Sequence, residues 1–466
     1  MRIRNSLIKG TFILTLTGLI SRIIGFFYRI FMSQVFGEEG MGVYQLISPV
    51  MALSYSISCS TIQTAISKFV ASEPTTHDYK TSLRVLYTGI FISGFLATIC
   101  STFVYLNSDF LAETMLMEIR CAPLLRIFAL SLPFGALHSC INGYYYGIQK
   151  TSVPAITQLA EQLSRVGSVY LIYHLFYSHE NPPSIALALI GLLIGEVFSF
   201  LVSGVMVFVR FSSKYLGDSL IKTASTHLVY PSQKVFTTAK QILSLSVPLS
   251  ANRIVVNILQ SIEAVYIPSR LQLFGLTNSD ALSIYGILSG MALPLILFPC
   301  ALTNSVCVLL LPIISEAESS NNYVKIKKAV EKSIFFCSLF GAFCTVFFLL
   351  FGKQLGNLLF DSPFAGSFIL TLSFICPFMY ISSTMSSILH GLGKAGTTFF
   401  CNVTGLLIRL VFVFFFIPLF GIKGYMWGLL VSELVITFME IAFVNHYIKP
   451  RIRHSKVPCA FITSIL

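Results

Sequence analysis

Charged residues are scarce in this sequence: they make up only 11% of its 466 residues, whereas soluble domains carry about 25%. Hydrophobic residues reach 55%, and the mean hydropathy is +0.80. This balance excludes a soluble globular protein and predicts a polytopic membrane protein. Because the apolar runs are continuous rather than alternating, they also exclude a transmembrane β-barrel.

Several motifs are missing as well. No Gly-x-x-x-x-Gly-Lys-[Ser/Thr] segment occurs, so the sequence carries no P-loop signature for nucleotide binding. The 11 cysteines include no Cys-x-x-Cys pair, and their distribution favours small reduced core residues over metal ligands or disulfides. We therefore expect a non-enzymatic protein with no cofactor and no metal, energised by Na+, H+ or the membrane potential.

Apolar runs of about 20 residues, the length of a membrane-spanning helix, follow one another along the chain between short polar loops. They predict an all-α integral membrane protein with about 12 transmembrane helices. The predicted spans lie near residues 11–36, 41–71, 83–106, 122–148, 154–177, 185–211, 239–268, 281–314, 330–352, 365–391, 397–418 and 424–447. Four prolines inside these spans should kink or break helices: Pro248, Pro294, Pro299 and Pro377.

Lysine and arginine are divided unevenly between the two sets of loops that alternate along these spans. Both ends of the chain belong to the rich set, so the positive-inside rule places both termini in the cytoplasm. The net charge of +12 is then a topology signal and an attraction to anionic membrane lipids, and it does not indicate nucleic-acid binding.

Two halves of the chain match each other. The equivalent positions include Pro133 and Pro377, Gly147 and Gly391, and Arg165 and Arg409 at an offset of 244, and Glu196 and Glu433 at an offset of 237. Six spans in each half make the repeats parallel, with a central cavity between two six-helix lobes. We expect an N-terminal lobe over residues 1–212, a basic cytoplasmic linker over 213–238, a C-terminal lobe over 239–448 and a basic cytoplasmic tail over 449–466.

The first span carries Arg22 and Arg29, where a membrane helix should carry no charge. Helical spacing puts both on one small or polar face, together with Thr11, Thr15, Gly18, Gly25 and Ser33. A charge at mid-bilayer costs at least about 2.5–3.5 kcal/mol, so this face is predicted to look into protein or water. The first span of the second lobe shows a similar face with Ser246, Ser250, Arg253, Asn257, Gln260 and Ala264.

These three arginines have no obvious carboxylate nearby in the sequence, which suits an anionic ligand. A guanidinium directs two hydrogen bonds onto phosphate oxygens, so a phosphate or diphosphate fits best. We predict a substrate site made of Arg22, Gly25, Arg29, Arg253, Asn257 and Gln260.

Other charges within the spans have a structural and a coupling interpretation. Glu161 and Arg165 are spaced for an ion pair within one helix. Arg409 lacks such a neighbour, and it could pair with Glu433 or Glu440 or remain free for ligand.

Glu196 and Glu433 lie in Gly-rich segments, which favours helix packing over the binding of a coupling ion. We expect Glu440 to snorkel, and His138 to be a hydrogen-bonded core residue rather than a proton relay.

The sequence resembles a known family at residues 10–14, 25–30, 40–44 and 65–71. These segments are similar to the stage V sporulation protein B branch of the polysaccharide exporter family. That family belongs to the multidrug/oligosaccharidyl-lipid/polysaccharide (MOP) superfamily, which also contains the bacterial lipid II flippases. The stretch Ser21-Arg22-x-x-Gly25-Phe26 is similar to their first-span motif, in which the arginine is functionally important. Arg29 corresponds to a second family arginine but lies one residue later.

The resemblance implies a MATE/MOP-like fold with alternating access in the bacterial cytoplasmic membrane. It implies flipping of an undecaprenyl-diphosphate-linked cell-wall precursor, with lipid II the leading candidate, by a monomer that works beside cell-wall synthesis enzymes. A role in peptidoglycan synthesis or sporulation would follow. Many relatives have two further spans, whereas residues 457–466 are too short to cross a membrane.

Three alternatives remain. The first is a flippase for another lipid-linked polysaccharide repeat unit. The second is a cation-coupled multidrug exporter of the same fold, which should prefer acidic residues in its cavity. The third is a membrane-embedded glycosyltransferase, for which the few outer-loop carboxylates Asp109, Glu113 and Glu118 make a weak case.

Overall fold

The computed structural model of the chain describes residues 2–72, 79–176, 184–218 and 232–454. In these ranges the chain is almost entirely helical, with short turns between helices, and it forms no β-strand. The predicted all-α class is therefore confirmed. The chain divides into two compact units, one formed by Met1–Val265 with Leu282–Gly286 and the other by Tyr266–Ala281 with Ile287–Leu466.

The first unit contains long helices that are broken at two short π-helical segments. Its helices are α1 (Arg2–Leu46), α2 (Ser48–Tyr55), α3 (Thr61–Ser72), α4 (Tyr79–Leu106), α5 (Ser108–Phe110), α6 (Cys121–Gly147), α7 (Ser152–Phe176), α8 (Ala186–Asp218) and most of α9 (Ser232–Leu273), with π segments at Ser56–Ser60 and Leu111–Met115. Its core forms where α3, α4 and α6 pack together, around Ile62, Ile66, Leu86, Tyr144 and Tyr145.

The second unit follows the same plan, with two more π segments. Its helices are α10 (Asn278–Tyr285), which ends within Leu282–Gly286, then α11 (Leu293–Leu297), α12 (Cys300–Ser319), α13 (Tyr323–Phe360), α14 (Pro363–Leu372), α15 (Cys376–Gly391), α16 (Ala395–Val411), α17 (Ile417–Phe420) and α18 (Ile422–His454). The π segments are Gly286–Ala292 and Phe412–Phe416, and a 3₁₀ turn lies at Ser373–Ile375.

Eleven helical stretches in the described ranges are long and apolar enough to cross a membrane. Dividing the 60-residue stretch Ile13–Ser72 after Leu46, joining Asn278–Leu297 to Cys300–Ser319, and adding the more polar α7 gives the twelve predicted spans. The multi-pass architecture is thus as predicted, but the span predicted as 281–314 is interrupted rather than continuous.

Prolines explain these interruptions. Pro294 stands in the first turn of α11, Pro299 caps the start of α12, and Pro377 stands in the first turn of α15. Proline lacks an N–H and has a fixed φ, so it is tolerated at the beginning of a helix and disrupts its interior. Pro248 is the exception, since α9 continues through it.

Equivalent glycines make equivalent contacts in the two units. A Cβ at Gly147 would lie 2.8 Å from the Ser67 carbonyl oxygen and 2.6 Å from Val70 Cβ. A Cβ at Gly391 would lie 3.1 Å from the Leu311 carbonyl oxygen and 2.9 Å from Ile314 Cβ. Since 67 and 311, and 70 and 314, also differ by 244, the sequence repeat corresponds to a repeated helix contact.

A second glycine contact joins α1 to the five residues Leu282–Gly286 within the first unit. The Gly42 Cα faces the backbone of Leu282, and the Gly286 Cα faces the Glu38 carbonyl and the backbone of Gly42. A Cβ on either glycine would overlap these backbone atoms. Gly37, just before this contact, has φ 69° and kinks α1.

The predicted linker and tail are described only in part. Helix α8 reaches Asp218, α9 begins at Ser232, and α18 continues to His454. Residues 219–231 and 455–466 lie outside the described residues. The predicted lobe boundaries at 212, 239 and 448 stay predictions.

Candidate functional site

Arg22 and Arg29 lie on one face of α1, because residues seven apart on a helix differ by only about 20° in direction. The Arg22 side chain is exposed, and Arg29 is partly buried. Gly18, one turn before Arg22, faces open space, whereas Gly25 faces Nε2 of Gln162 on α7. This arginine face is therefore open at one end and lined by α7 at the other.

Two other faces of α1 border the arginine face. The buried one carries Thr17, Ser21, Tyr28 and Met32, and the exposed apolar one carries Leu16, Ile20, Ile23 and Phe27. At about 100° per residue, the apolar side chains point roughly 100–160° away from Arg22. Arg22 thus does not share the surface that suits lipid chains.

The second predicted face lies on the part of α9 that belongs to the first unit. Arg253 and Gln260 are exposed. Asn257 is used inside the protein: its Nδ2 donates to the Ala52 carbonyl at 3.1 Å and to Ser56 Oγ at 2.7 Å. Asn257 therefore fixes α9 beside the π segment that begins at Ser56, and only its carbonyl oxygen is left for a ligand.

An ion-pair network fills the membrane interior of the first unit. Arg165 Nη2 lies 2.6 Å from Glu161 Oε1 on the same helix and 4.0 Å from Glu196 Oε1 on α8. The side chains of Glu161 and Arg165 are 21% exposed, and that of Glu196 is 7% exposed. Gly195, which precedes Glu196, lets α8 approach α7 at this level, because a Cβ there would lie 3.1 Å from the Glu161 carbonyl oxygen.

Glu196 has two further partners that come from distant parts of the chain. The Tyr55 hydroxyl donates to Glu196 Oε1 at 2.9 Å, and His138 Nε2 lies 2.8 Å from Glu196 Oε2. The other ring nitrogen of His138, Nδ1, lies 3.4 Å from Asn142 Nδ2 and 3.3 Å from Ser199 Oγ. Every polar atom of the His138 ring therefore has a polar neighbour.

Three residues of this network lie as close together as the ligands of a metal ion. One ligand atom from each of His138, Glu161 and Glu196 lies within 4.8 Å of the others. However, the Arg165 guanidinium already contacts Glu161 and lies 4.0 Å from Glu196, so its positive charge would repel a metal ion bound by these carboxylates. The residues form an ion-pair network and do not fit a metal ion.

The second unit has a simpler arrangement. Arg409 Nη2 lies 2.6 Å from Glu433 Oε1, and Arg409 Nε donates to Ser432 Oγ at 2.9 Å. Glu440 is completely buried, and it accepts a hydrogen bond from Ser386 Oγ at 2.5 Å. The expectation that Glu440 snorkels is therefore wrong, since its helix is packed among α13, α15 and α16 at this level.

One ion-pair cluster lies outside the spans, just before α6. Arg120 Nε donates to Glu118 Oε1 at 2.7 Å, and Nη1 donates to Glu39 Oε1 at 2.8 Å. The hydrogen bond to Glu118 raises the pKa of the Arg120 guanidinium above its ordinary value, with Glu39 adding to the effect. Arg120 therefore stays charged and ties α1 to the segment before α6.

The comparison with known families decides the class of protein. The family described as Polysaccharide biosynthesis protein matches residues 7–318 of the chain. The chain belongs to this family. A second family model, MatE, matches residues 254–415.

Relatives and solved structures agree with this family membership. Stage V sporulation protein B of Bacillus subtilis (strain 168) is 27% identical over 474 residues, which cover 99% of this chain and 90% of the relative. An inward-facing multidrug resistance MATE family transporter of the MOP superfamily matches with a TM-score of 0.70 and 17% identity, over 93% of this chain and 96% of the other. The lipid II flippase MurJ in an inward closed conformation matches with a TM-score of 0.69 and 16% identity, over 92% and 87%.

These likenesses confirm the predicted resemblance and the MATE/MOP-like fold. The chain is a multi-pass membrane protein of the family described as Polysaccharide biosynthesis protein, and its fold is that of solved MOP superfamily transporters. A multidrug transporter and a lipid II flippase match the fold almost equally well. The choice of substrate must therefore be argued from this chain's own residues.

Sequence reasoning predicted the ion pair of Glu161 with Arg165 and offered Glu433 as a partner of Arg409, but it missed the contacts of Glu196. His138 and Glu196 are 58 residues apart, and Tyr55 and Glu196 are 141 residues apart. Helical periodicity carries no information on such contacts. The one available signal was that three polar residues, His138, Asn142 and Thr157, lie on neighbouring apolar spans.

Proposed function

We propose that the protein flips an undecaprenyl-diphosphate-linked cell-wall precursor, with lipid II as the first candidate, across the cytoplasmic membrane by alternating access. The observation that carries the proposal is the exposed Arg22 on a face of α1 separate from the helix's apolar surface. Within the described ranges, neither Arg22 nor Arg253 forms a salt bridge. Two such cations within membrane-spanning helices need an anionic partner.

A diphosphate meets this need better than other ligands. Its oxygens accept the paired donors of guanidinium groups, and the charge-assisted bonds are about twice as strong as neutral ones. Arg29 and Gly25 continue the face that Arg22 begins, and Gln260 lies on the Arg253 side of α9. The proposed substrate site thus consists of Arg22, Gly25, Arg29, Arg253 and Gln260, with the carbonyl oxygen of Asn257.

Two alternatives keep specific support. A flippase for another lipid-linked polysaccharide repeat unit would use the same diphosphate contacts, and the family description names polysaccharide biosynthesis. A multidrug exporter is favoured by the match to a MATE family transporter. For cationic drugs, however, the arginine faces of α1 and α9 have the wrong sign of charge.

A leaflet-translocation assay in proteoliposomes separates these functions. The probes are fluorescent lipid II, a second undecaprenyl-diphosphate sugar and a cationic dye. We expect lipid II to move, and we expect Arg22→Ala and Arg253→Ala to lower its initial rate at least tenfold, with partial recovery in Arg22→Lys. Arg126→Ala, which removes a cation paired with exposed Asp109, serves as the control with a normal rate.

Two results would overturn the proposal. Movement of the dye while both lipids stay in place would indicate a multidrug exporter. Normal lipid II translocation rates in both Arg22→Ala and Arg253→Ala would show that these arginines do not bind the diphosphate. Movement of the second sugar lipid but not lipid II would favour the other polysaccharide substrate.

The proposal includes an orientation with both termini in the cytoplasm, and contact between the basic loops and anionic lipids. Single cysteines at Ser320, in the turn before α13, and at Asn357, in the last turn of α13, report on it. An impermeant maleimide added to intact cells should label Asn357→Cys and not Ser320→Cys. The native cysteines in the described ranges are buried or half-buried and give little background. A monomer that works beside cell-wall synthesis enzymes completes the proposal.

A further inference from the structure

The ion-pair network of the first unit carries an excess negative charge. Glu161 and Glu196 contribute two negative charges, and Arg165 contributes one positive charge, so one negative charge is uncompensated when His138 is neutral. An uncompensated charge inside a membrane protein is costly. One bound proton would bring the network to neutrality.

The hydrogen-bond partners of His138 support one assignment of its ring proton. Thr157 Oγ1 donates to Asn142 Oδ1 at 3.0 Å, which turns the Asn142 amide nitrogen toward His138 Nδ1. With the Asn142 amide in this orientation, Nδ2 is the donor and we assign Nδ1 as the unprotonated acceptor. The ring proton then lies on Nε2 and is donated to Glu196 Oε2. His138 is thus the neutral imidazole in this arrangement.

We propose that His138, together with Glu196, is a proton-binding site of the first unit that loads and unloads one proton per transport cycle. The proton adds to His138 Nδ1 and forms an imidazolium that donates to Glu196 from Nε2. The neutral state regenerates when Nδ1 gives the proton back to water. No oxidant or co-reactant takes part.

The side chains around His138 can form hydrogen bonds with both its neutral and its protonated form. When Nδ1 carries a proton, a half-turn of the Asn142 amide presents Oδ1 as the acceptor. Asn142 Nδ2 then donates to Thr157 Oγ1, and the Thr157 hydroxyl donates to the Pro154 carbonyl, which is already at 3.0 Å. Ser199 Oγ, 3.3 Å from Nδ1, offers a second acceptor. The Nδ1 atom of His138 therefore has a hydrogen-bond partner in either state.

The ionisable groups nearest to His138 and its partners lie on several helices of the first unit. They are Tyr44 on α1, Tyr55 on α2, Cys59 in the π segment, Glu161 and Arg165 on α7, and Glu196 on α8. Arg165 already neutralises Glu161 at 2.6 Å. The same guanidinium disfavours Na+ at this point, so the group binds a proton rather than a metal cation.

Tyr55 links this ion-pair network to α9, which carries Arg253 of the proposed substrate site. The Tyr55 hydroxyl donates to Glu196, and Tyr55 immediately precedes the π segment Ser56–Ser60. Ser56 Oγ accepts the hydrogen bond from Asn257, which lies one helical turn after Arg253. Proton loading therefore acts on the hydrogen bonds that hold the arginine face of α9. This second step rests on the proposed function, whereas proton binding does not.

Nitrogen-15 NMR of histidine-labelled protein in lipid nanodiscs tests proton binding directly. His138→Gln assigns the signal, and His390→Gln on α15 is the matched control. Between pH 5 and 9 we expect His138 to change from the Nε2–H tautomer to the imidazolium. Glu196→Gln, which removes the negative partner but keeps a hydrogen-bonding side chain, should lower the proton affinity at least tenfold.

Transport provides the second readout in proteoliposomes with a pH gradient or a Na+ gradient. We expect lipid II flipping to depend on the pH gradient in the unsubstituted protein and to lose that dependence in His138→Gln and Asn142→Ala. A His138 signal that keeps one tautomer across the pH range would overturn the inference, as would flipping driven by Na+ and unchanged in His138→Gln. If His138 titrates but no lipid moves, the proton site stands and the proposed function fails.

Discussion

Arg409 and Glu433 form a close ion pair in the second unit, with Nη2 and Oε1 2.6 Å apart. The equivalent residues of the first unit, Arg165 and Glu196, are 4.0 Å apart, because Glu161 takes the near position on the guanidinium. Gly405 occupies the position in the second unit that is equivalent to Glu161, so the second unit has no second carboxylate at that position beside its arginine. The charges of this pair therefore cancel in the second repeat, whereas the first repeat has one additional negative charge from Glu161.

The ion pair of Arg409 and Glu433 should tolerate replacement of both residues together better than replacement of either one alone. Removal of one partner leaves an uncompensated buried charge, so we expect Glu433→Gln or Arg409→Met to cost about 3–5 kcal/mol. The double variant Arg409→Met/Glu433→Leu should recover most of that loss. Thermal unfolding in detergent measures it, and Arg126→Met at the exposed Asp109 pair is the control with little change. Equal destabilisation of the single and double variants would contradict this account.

Substitutions at Asn257 and Gln260 should distinguish an effect on protein stability from an effect on ligand binding. Asn257→Ala removes two hydrogen bonds, to Ala52 and Ser56, each worth about 0.5–1.5 kcal/mol. We expect it to lower the unfolding temperature clearly. Gln260→Ala removes an exposed side chain and should leave the unfolding temperature near normal while it weakens lipid II binding. The reverse pattern would place Asn257 in the ligand site and Gln260 in the core.

The equivalent glycines Gly147 and Gly391 should be equally intolerant of a methyl group. An added Cβ would overlap the Ser67 carbonyl in one unit and approach the Leu311 carbonyl in the other. We expect each alanine variant to lose about 1–3 kcal/mol of stability, as overpacked cores do. Gly18→Ala, which points into open space, is the control and should not destabilise the fold. Stable alanine variants at both positions would show that these helices are not held at this distance.

Glu440 should tolerate neutralisation. It is fully buried, accepts a hydrogen bond from Ser386, and its Oε2 forms no hydrogen bond within the part of the chain that the structure describes. Glu440→Gln keeps the shape and the acceptor oxygen and removes a negative charge that forms no salt bridge among the described residues. We expect its unfolding temperature at pH 8 to equal or exceed that of the unsubstituted protein. A loss as large as that of Glu433→Gln would indicate a required carboxylate.

The Arg120 cluster should stabilise the fold independently of pH in the ordinary range. The raised pKa of Arg120 means that its contribution is complete below the ordinary arginine pKa and disappears only above the raised value. We expect Arg120→Gln to lower the unfolding temperature by the same amount at pH 6 and at pH 8.5. A loss confined to one of these pH values would show that another group controls the cluster.

Local patterns predicted the elements of this protein better than its contacts. Twelve apolar runs gave the spans, and spacing along one helix anticipated the proximity of Glu161 and Arg165. The repeat offered Glu433 as a partner for Arg409, because internal duplication carries some tertiary information. The links from Glu196 to His138 and Tyr55 needed the fold, since they join different helices across many residues. Periodicity also assumes uninterrupted helices, so it could not reveal the π segments at Ser56–Ser60 and Gly286–Ala292.

The contact of Gly42 and Gly286 has a practical consequence. Since only backbone atoms meet there, α1 and Leu282–Gly286 are held together without any side chain that must change rotamer when they separate. An added methyl group at this contact would separate the two backbones. Gly286→Ala would therefore exclude any conformation in which Gly42 and Gly286 are in contact, and it would leave the other conformations accessible. One substitution thus offers a genetic means of trapping the protein for structure determination, with no ligand required.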